Sequence, residues 1–284
     1  MTRTVLDTPP ALPALFARAA LTARGRGGAL PDTRLARLAV AVDPGELADY
    51  ARVCRFPLAD TLPVTYPHVL AFPLQAALMT DRSFPLALPG LVHVRNRIDQ
   101  LRPIGTGEAL DLEVWAERFA AHRSGATVDL CASVSAGGAE VWRGRSTYLA
   151  RGAHAPDGAP DADVDVPVGP LDRTAAQWRV PTDAGRRYAK VSGDVNPIHL
   201  SGLTAKAFGF KHAIAHGMWV KARALAALSG RLPDAFGVDV AFGKPLFLPS
   251  TVQLATAPVG AGWDLAVRNA KAGTEHLVGT VRAR

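Results

Sequence analysis

The chain has 284 residues, of which 48% are hydrophobic and 20% are charged, so it can bury a large core and is neither a disordered nor a fibrous protein. Its formal net charge is +7, but the arginines are scattered singly and aromatic residues make up only 7% of the chain. This pattern favours a solvated basic surface over a nucleic-acid groove. Cys54 and Cys131 match no metal-ligand or redox spacing, and we therefore expect a reducing, cytoplasmic compartment.

Two long stretches without charged residues, 61–80 and 245–263, are the candidates for membrane spans. Each contains three prolines and several polar residues, which argues against a spanning helix. Residues 1–28 carry prolines and arginines and no uninterrupted apolar run, which disfavours an export signal. We expect no membrane insertion.

The first half of the sequence predicts a helix followed by antiparallel strands. A Tyr-Ala-basic-Val motif begins at Tyr50, an Ala- and Leu-rich stretch at 75–79 is typical of a helix, and a strand-like run follows at 91–95. Apolar and polar residues then alternate at 109–115 and 127–134, with glycines between the runs, as in strands joined by hairpins.

Residues 152–170 indicate a linker, because they hold four prolines, three glycines and four aspartates without a periodic apolar face. This segment divides the chain into halves of similar length. We expect one repeat at 1–151 and another at 171–284.

The second half repeats the order of elements of the first. A Tyr-Ala-basic-Val motif begins at Tyr188, a helical stretch follows at 219–228, and a strand-like run lies at 238–242. Alternating stretches come next, at 252–256 and 263–268. The repetition indicates an internal duplication of an α+β unit in which one principal helix packs on an antiparallel sheet.

The segment 191–200, VSGDVNPIHL, carries the chemistry of the second half. Pro197 fixes its own φ and biases Asn196 away from the helical region, so the chain turns and can bring Asp194 and His199 to one side. Gly, Asp, Asn and Pro are also ordinary turn formers, and Asp194 could simply cap the segment after it. The segment alone leaves both interpretations open.

A second polar block, KHAIAHGMW at 211–219, lies at the start of the predicted helix. Gly217 stands where backbone N–H groups lack intrahelical partners, and it leaves room for a ligand carbonyl to reach those donors. His216 either orients the loop as a buried imidazole or takes part directly in catalysis.

These blocks, together with Ala207-Phe-Gly-Phe, resemble the hydratase signature of the MaoC-like family, the (R)-specific enoyl-thioester hydratases and 3-hydroxyacyl-thioester dehydratases. The resemblance implies a double hotdog, in which each of two tandem repeats has a central helix wrapped by an antiparallel sheet. It implies a catalytic group of Asp194, His199 and Gly217. The substrate-binding residues that it implies are Ser192, Gly193, Asn196, His216 and Met218.

The first repeat departs from the family pattern. Phe72 and Pro73 stand in place of His216 and Gly217, and residues 55–63 contain no Asp-Asn-Pro-His set. We therefore expect one active site and a degenerate N-terminal repeat. Four apolar residues of this repeat either line an acyl tunnel or belong to the plain core: Phe72, Leu74, Leu78 and Phe84.

The resemblance implies a hydro-lyase of fatty-acid metabolism that reversibly dehydrates (R)-3-hydroxyacyl thioesters to trans-2-enoyl thioesters. The substrate would be carried by CoA or acyl carrier protein, with no other cofactor. The histidines at 199, 212 and 216 have no zinc-type spacing with cysteines, so we expect no metal. A hotdog acyl-thioesterase and a non-catalytic acyl-pocket partner of a heterodimeric dehydratase are the alternatives.

Basic residues near the signature are candidates to meet the negative charge of the carrier, although a solvated surface is the commoner role of such residues. They are Lys206, Lys211, Lys221 and Arg223. The sequence leaves open which of Asp194 and His199 is the base, the preferred acyl length, the physiological direction and whether the chain forms a homodimer.

Overall fold

The computed structural model describes residues 2–22, 24–171 and 173–284, and the chain divides into two compact units. The first unit comprises the described parts of 1–42, 67–96 and 107–164, and the second comprises those of 43–66, 97–106 and 165–284. The units follow contacts in space, whereas the boundaries predicted at 151 and 171 follow the sequence repeat and stay a prediction.

The chain alternates helices and strands in two similar series. In chain order the elements are β1 (Thr2–Val5), α1 (Leu12–Leu21), β2 (Thr33–Val40), α2 (Pro44–Cys54), α3 (Tyr66–Thr80), β3 (Leu91–Gln100), β4 (Leu110–His122), β5 (Gly125–Ala136), β6 (Ala139–Arg151), β7 (Thr174–Val180), α4 (Ala184–Ser192), α5 (Pro197–Leu200), α6 (Gly202–Ala207), α7 (Gly217–Ala226), β8 (Phe236–Phe242), β9 (Ser250–Val259), β10 (Gly262–Asn269) and β11 (Glu275–Ala283).

The first unit is an antiparallel sheet with α3 packed on it. β1 pairs in parallel with β2, and β2, β4, β5 and β6 form successive antiparallel pairs. Leu78 and Met79 of α3 pack against Leu91, Val128 and Leu130 of the strands in one buried cluster. This apolar contact is what holds the helix against the sheet.

Helix α3 is longer than the predicted stretch at 75–79, because it begins at Tyr66. Pro67 occupies the first turn, where its missing N–H costs nothing and its fixed φ suits a helix. Pro73 lies inside the helix, where proline removes a backbone hydrogen bond. Burial of Leu74 and its neighbours offsets that loss, so the helix continues through Pro73 to Thr80.

The second unit repeats the design with α7 as its central helix. β7 pairs with β9, and β9, β10, β11 and β8 follow as antiparallel neighbours. Helix α7 begins at Gly217, and all of its residues except Gly217 and Arg223 are buried. Helix α2, from the first half of the sequence, packs against α4 and α7 in this unit.

The order of neighbouring strands is the same in both series: β2-β4-β5-β6-β3 in the first and β7-β9-β10-β11-β8 in the second. In each, the strand after the central helix lies beside the last strand of the meander. The predicted α+β architecture of two tandem hotdog repeats is therefore confirmed. Among the described helices, none is both long and apolar enough to cross a membrane.

Arg26 stabilises the turn that follows α3 in the first unit by hydrogen bonds to its backbone. Its guanidinium donates hydrogen bonds to the backbone carbonyls of Met79 (3.1 Å), Thr80 (3.2 Å), Asp81 (2.8 Å) and Phe84 (3.1 Å). These carbonyls include orphans of the helix C-terminus, which a cationic donor satisfies and stabilises.

We expect Arg26→Ala to lower the free energy of unfolding by about 2 kcal/mol, because several buried or half-buried carbonyls lose a charged donor. Urea denaturation of the variant measures the change. Arg24→Ala is the matched control, since Arg24 is exposed, and it should leave stability unchanged. Equal stability of the two variants would contradict the assigned role of Arg26.

Candidate active site

The site begins where α4 ends. Gly193 adopts the left-handed conformation (φ 72°) and its N–H donates to the carbonyl of Ala189 at 2.9 Å. The hydroxyl of Ser192 donates to the carbonyl of Tyr188 at 2.8 Å and accepts the N–H of Asp194 at 3.2 Å. Ser192 and Gly193 thus set the direction in which the chain leaves the helix, and whether they also contact substrate stays a prediction.

The two carboxylate oxygens of Asp194 make different contacts. Its Oδ1 accepts the N–H of Asn196 at 3.2 Å, which is the turn-forming role that the sequence left open. Oδ2 lies 3.8 Å from His216 Nε2, and the side chain is 30% exposed. The carboxylate therefore closes a turn with one oxygen and presents the other to the site.

Asn196 and Pro197 start the short helix that carries His199. The side-chain oxygen of Asn196 accepts the N–H of Ile198 at 3.3 Å, and Pro197 occupies the first turn. The amide of Asn196 thus supports the site by capping α5. This short helix directs the His199 imidazole toward Asp194, as the position of Pro197 predicts.

The two imidazoles are held by backbone carbonyls. His199 Nδ1 lies 2.8 Å from the carbonyl of Ile214, and His216 Nε2 lies 2.9 Å from the carbonyl of Asp194. A carbonyl only accepts, so each of these nitrogens carries the proton and donates it. The opposite ring nitrogens, His199 Nε2 and His216 Nδ1, therefore each carry a lone pair. His216 Nδ1 has no hydrogen-bond partner among the described residues.

Burial keeps both imidazoles neutral. It lowers the pKa of His199 to about 3, with His216 lowering it further and the Asp194 carboxylate opposing. Burial lowers the pKa of His216 to about 4. The pKa of Asp194 moves the other way, raised by burial against the pull of His199 and the Asn196 N–H. The environment therefore makes His199 a neutral acceptor and Asp194 a weaker acid than usual.

One ligand atom each of Asp194, His199 and His216 lies within 4.8 Å of the others. Two hydrogen bonds of about 2.8 Å meeting at a tetrahedral angle span about 4.6 Å, so a single water can bridge such groups. A metal ion fits less well, because the His199 and His216 rings are stacked with centroids 3.6 Å apart. Lone pairs of stacked rings lie in nearly parallel planes and do not converge on one point.

Gly217 opens α7, as predicted, and the first amides of that helix have no intrahelical acceptor. A Cβ at Gly217 would meet the ring of Phe242 at 2.9 Å. The glycine is thus needed for close packing of Phe242, whose ring occupies the space that a Cβ would take. Whether a ligand carbonyl reaches the amide of Gly217 stays a prediction. Met218, the next residue, is buried.

Gly185 in α4 is a site residue that the sequence analysis missed. A Cβ there would lie 2.0 Å from the carbonyl oxygen of His199. The close approach of α4 and α5 therefore requires glycine. A glycine inside a helix is the sequence feature that could have indicated it, since glycine weakens helices.

The basic candidates have different positions. Lys221 is only 1% exposed, and its Nζ donates to the carbonyl of Val238 at 3.3 Å. Burial lowers its pKa to about 7, so it does not offer a surface charge to a carrier, contrary to expectation. Lys206 and Lys211 are exposed, and Arg223 is half-buried.

The positions of the first repeat that correspond to His216 and Gly217 do not begin a helix. Phe72 and Pro73 lie in the middle of α3, whereas Gly217 begins α7. All four candidate tunnel residues are buried in the first unit, and two of them, Leu78 and Phe84, belong to its apolar cluster. Their role in an acyl tunnel stays a prediction.

The fold defines a hotdog protein, and the described residues place a carboxylate and two imidazoles together at the start of its second central helix. The sequence model of the MaoC-like domain matches residues 153–280. The 3-hydroxyacyl-thioester dehydratase X of Mycobacterium tuberculosis is 39% identical over 266 residues, which are 94% of this chain and 95% of the relative. The chain belongs to the MaoC-like dehydratase family.

Solved structures agree with this assignment. The crystal structure of HtdX of Mycobacterium tuberculosis matches with a TM-score of 0.79 and 37% identity, over 88% of this chain and all of that chain. A MaoC-like dehydratase from Phytophthora capsici matches with a TM-score of 0.72 over 90% of this chain and 96% of that chain. At 18% identity the second match concerns the fold alone.

We expect Gly185→Ala to lower turnover by about 10²-fold, because the methyl group pushes the His199 backbone, and a displacement of about 1 Å can cost that much. Steady-state kinetics of the purified variant measure it. Gly202→Ala is the matched control, since a Cβ on this helical glycine meets nothing within 4 Å. Normal activity of Gly185→Ala would show that the contact does not position His199.

We expect the folded state to lose stability as the pH falls from 7 to 5. The unfolded chain binds protons at its histidines below about pH 6.5, whereas His216 stays neutral in the folded protein until about pH 4. Unfolding therefore becomes easier in this window, by about 2 kcal/mol for His216 alone.

Urea denaturation at both pH values tests this expectation with His216→Gln, which removes the titrating group and should flatten the dependence. His212→Gln replaces an exposed histidine and should keep the wild-type slope. An unchanged slope in His216→Gln would contradict the buried neutral imidazole.

Proposed function

We propose that the protein reversibly dehydrates (R)-3-hydroxyacyl thioesters to trans-2-enoyl thioesters in fatty-acid metabolism. The observation that carries this proposal is the placement of Asp194 and His199 within 4.8 Å, beside the first turn of α7. Such a pair can hold the water that is added or removed, and both groups act from one side of the substrate. The name of the Mycobacterium tuberculosis relative supports the same chemistry.

Burial shifts the pKa values of the two groups in opposite directions, upward for Asp194 and downward for His199. In the dehydration direction, His199 Nε2 accepts the proton from C2 while Asp194, whose pKa is raised, donates a proton to the hydroxyl leaving C3. Water departs, and transfer of the proton from His199 to Asp194 restores the pair. Hydration is the reverse sequence. We therefore assign His199 as the base for dehydration and Asp194 as its acid.

Loss of the C2 proton places negative charge on the thioester oxygen. The unpaired amides of the first turn of α7, starting with that of Gly217, are donors suited to receive it, and the helix dipole has its positive end there. The proton transfers and the oxyanion contacts come from the chain itself, so the proposed reaction uses no cofactor and no metal.

The thioester would be carried by CoA or by acyl carrier protein in the cytoplasm. Cys54 and Cys131 are both free and buried, in keeping with a reducing compartment.

We expect Asp194→Asn and His199→Ala each to lower turnover of crotonyl-CoA or longer enoyl-CoA substrates by about 10²- to 10⁴-fold, since each removes a proton-transfer group. Loss of enoyl absorbance measures hydration, and circular dichroism verifies the fold. His212→Gln, an exposed histidine, serves as the control and should retain full activity.

The same assay separates dehydration from thioester hydrolysis. Free thiol is followed in parallel with enoyl absorbance, and the proposed function requires loss of absorbance without thiol release. Near-normal turnover in either the Asp194 or the His199 variant, or thiol release as the main reaction, would refute the proposal.

A further inference from the structure

A cationic cluster lies in the second unit where α2 meets α7. The guanidinium of Arg223, on α7, stacks on the ring of Trp178, on β7, with its carbon 4.6 Å from the ring centroid. Arg55 follows the last residue of α2. The indole N–H of Trp219 donates to the carbonyl of Val53 at 3.2 Å, which fixes the end of α2 against α7.

Within the described residues, these donors have no acceptors. The side chains of Arg55 and Arg223 form no ion pair and no hydrogen bond, and the indole nitrogen of Trp178 is buried without a partner. The Trp219–Val53 hydrogen bond holds the end of α2, and with it Arg55, at the face of α7 that carries Arg223 one turn later. In keeping with this placement, burial lowers the pKa of Arg223 and the charge of Arg55 lowers it further. Cys54 does not compensate them, because burial raises the pKa of its thiol to about 12 and keeps it neutral.

Arg231 lies in the same unit and differs from Arg223 in its exposure and its hydrogen bonding. Its guanidinium also stacks on a tryptophan, with the carbon 4.9 Å from the ring centroid of Trp263. However, Arg231 is exposed and donates to the carbonyl of Ala227 at 3.4 Å. Stacking alone therefore does not leave a guanidinium without an acceptor, and the half-buried Arg223, which has none among the described residues, is a different case.

Two guanidinium groups and an indole N–H with no acceptor match an anion with several oxygens. The planar fork of arginine suits a phosphate, which it binds through two parallel hydrogen bonds. Arg223 lies six residues beyond Gly217, or about 9 Å along the helix axis. The acyl carriers have a pantetheine arm between the thioester and the first phosphate, so the two groups must bind at separate places.

We propose that Arg223, Arg55 and Trp178 form a binding site for a phosphate ester on the carrier portion of the acyl thioester. This inference rests on the proposed function, because it takes the thioester carrier as the ligand. The site separates carrier recognition, at the far end of α7, from proton transfer at its start. It supplies affinity without touching the reacting atoms.

Binding is tested by calorimetry with CoA, 3′-dephospho-CoA, 4′-phosphopantetheine and pantetheine. We expect Arg223→Gln to weaken binding of phosphate-bearing ligands at least tenfold and to leave pantetheine unchanged. Arg223→Lys should lose part of the affinity, because it keeps the charge and loses the fork. Arg231→Gln is the matched control and should bind all four ligands as the wild type does.

The ligand series also identifies the phosphate. If Arg223→Gln weakens the binding of CoA alone, the site binds the 3′-phosphate. If it also weakens the binding of 4′-phosphopantetheine, the site binds the phosphate that CoA and carrier protein have in common. Equal weakening of pantetheine, or equal effects of Arg223→Gln and Arg231→Gln, would overturn the site. Thermal melts verify folding, and the exposed Arg55 provides a second variant, Arg55→Gln, if Arg223→Gln unfolds.

Kinetics give an independent readout. For enoyl-CoA, Arg223→Gln should raise KM about tenfold and leave kcat unchanged, since the site binds a group remote from the chemistry. An enoyl N-acetylcysteamine thioester, which has no phosphate, should show no change. If the wild type turns over enoyl-CoA normally and Arg223→Gln changes neither KM nor ligand binding, the phosphate site is refuted and the proposed function stands. If Arg223→Gln weakens ligand binding but the wild type shows no turnover, the proposed function is refuted and the phosphate site stands.

Discussion

The site depends on a reciprocal pair of hydrogen bonds between two segments of the second unit. His199, on the first segment, donates to the carbonyl of Ile214 on the second, and His216, on the second, donates to the carbonyl of Asp194 on the first. The N–H of Ile214 also donates to the carbonyl of Ile198 at 3.1 Å. Each imidazole therefore fixes the backbone that carries its neighbour, and neither segment can move without breaking a buried bond.

The same bonds determine the chemistry. A proton on the carbonyl-facing nitrogen of each ring leaves the opposite nitrogen as an acceptor, and burial makes a second proton costly. Burial therefore separates the two groups, since it raises the pKa of Asp194 and keeps His199 neutral. The stacked ring of His216 strengthens this state, since a charged His199 would face another imidazole at 3.6 Å.

The sequence predicted the features that local chemistry determines. The turn at Pro197, the helix start at Gly217 and the repeated order of elements all follow from short-range rules, and the structure confirms them. The role of Gly185 was missed because it depends on the contact of α4 with α5. The exposure of Lys221 was misjudged because the burial of its side chain depends on the contact of α7 with β8. The length of α3 was underestimated because tertiary packing overrides the local effect of Pro73.

The two repeats share a fold but differ in where their central helices begin. α7 starts at Gly217, so its first amides lack intrahelical acceptors and lie next to the segment of His216. Helix α3 instead continues through Phe72 and Pro73, which places the equivalent point in a helix interior. The first half of the sequence still contributes through α2. Its Tyr50 ring lies 6.3 Å from that of Tyr188, which in turn lies 4.9 Å from His216. Aromatic rings from both halves of the sequence thus pack in a row that ends at His216, so the segment from the first half takes part in the packing around the candidate site.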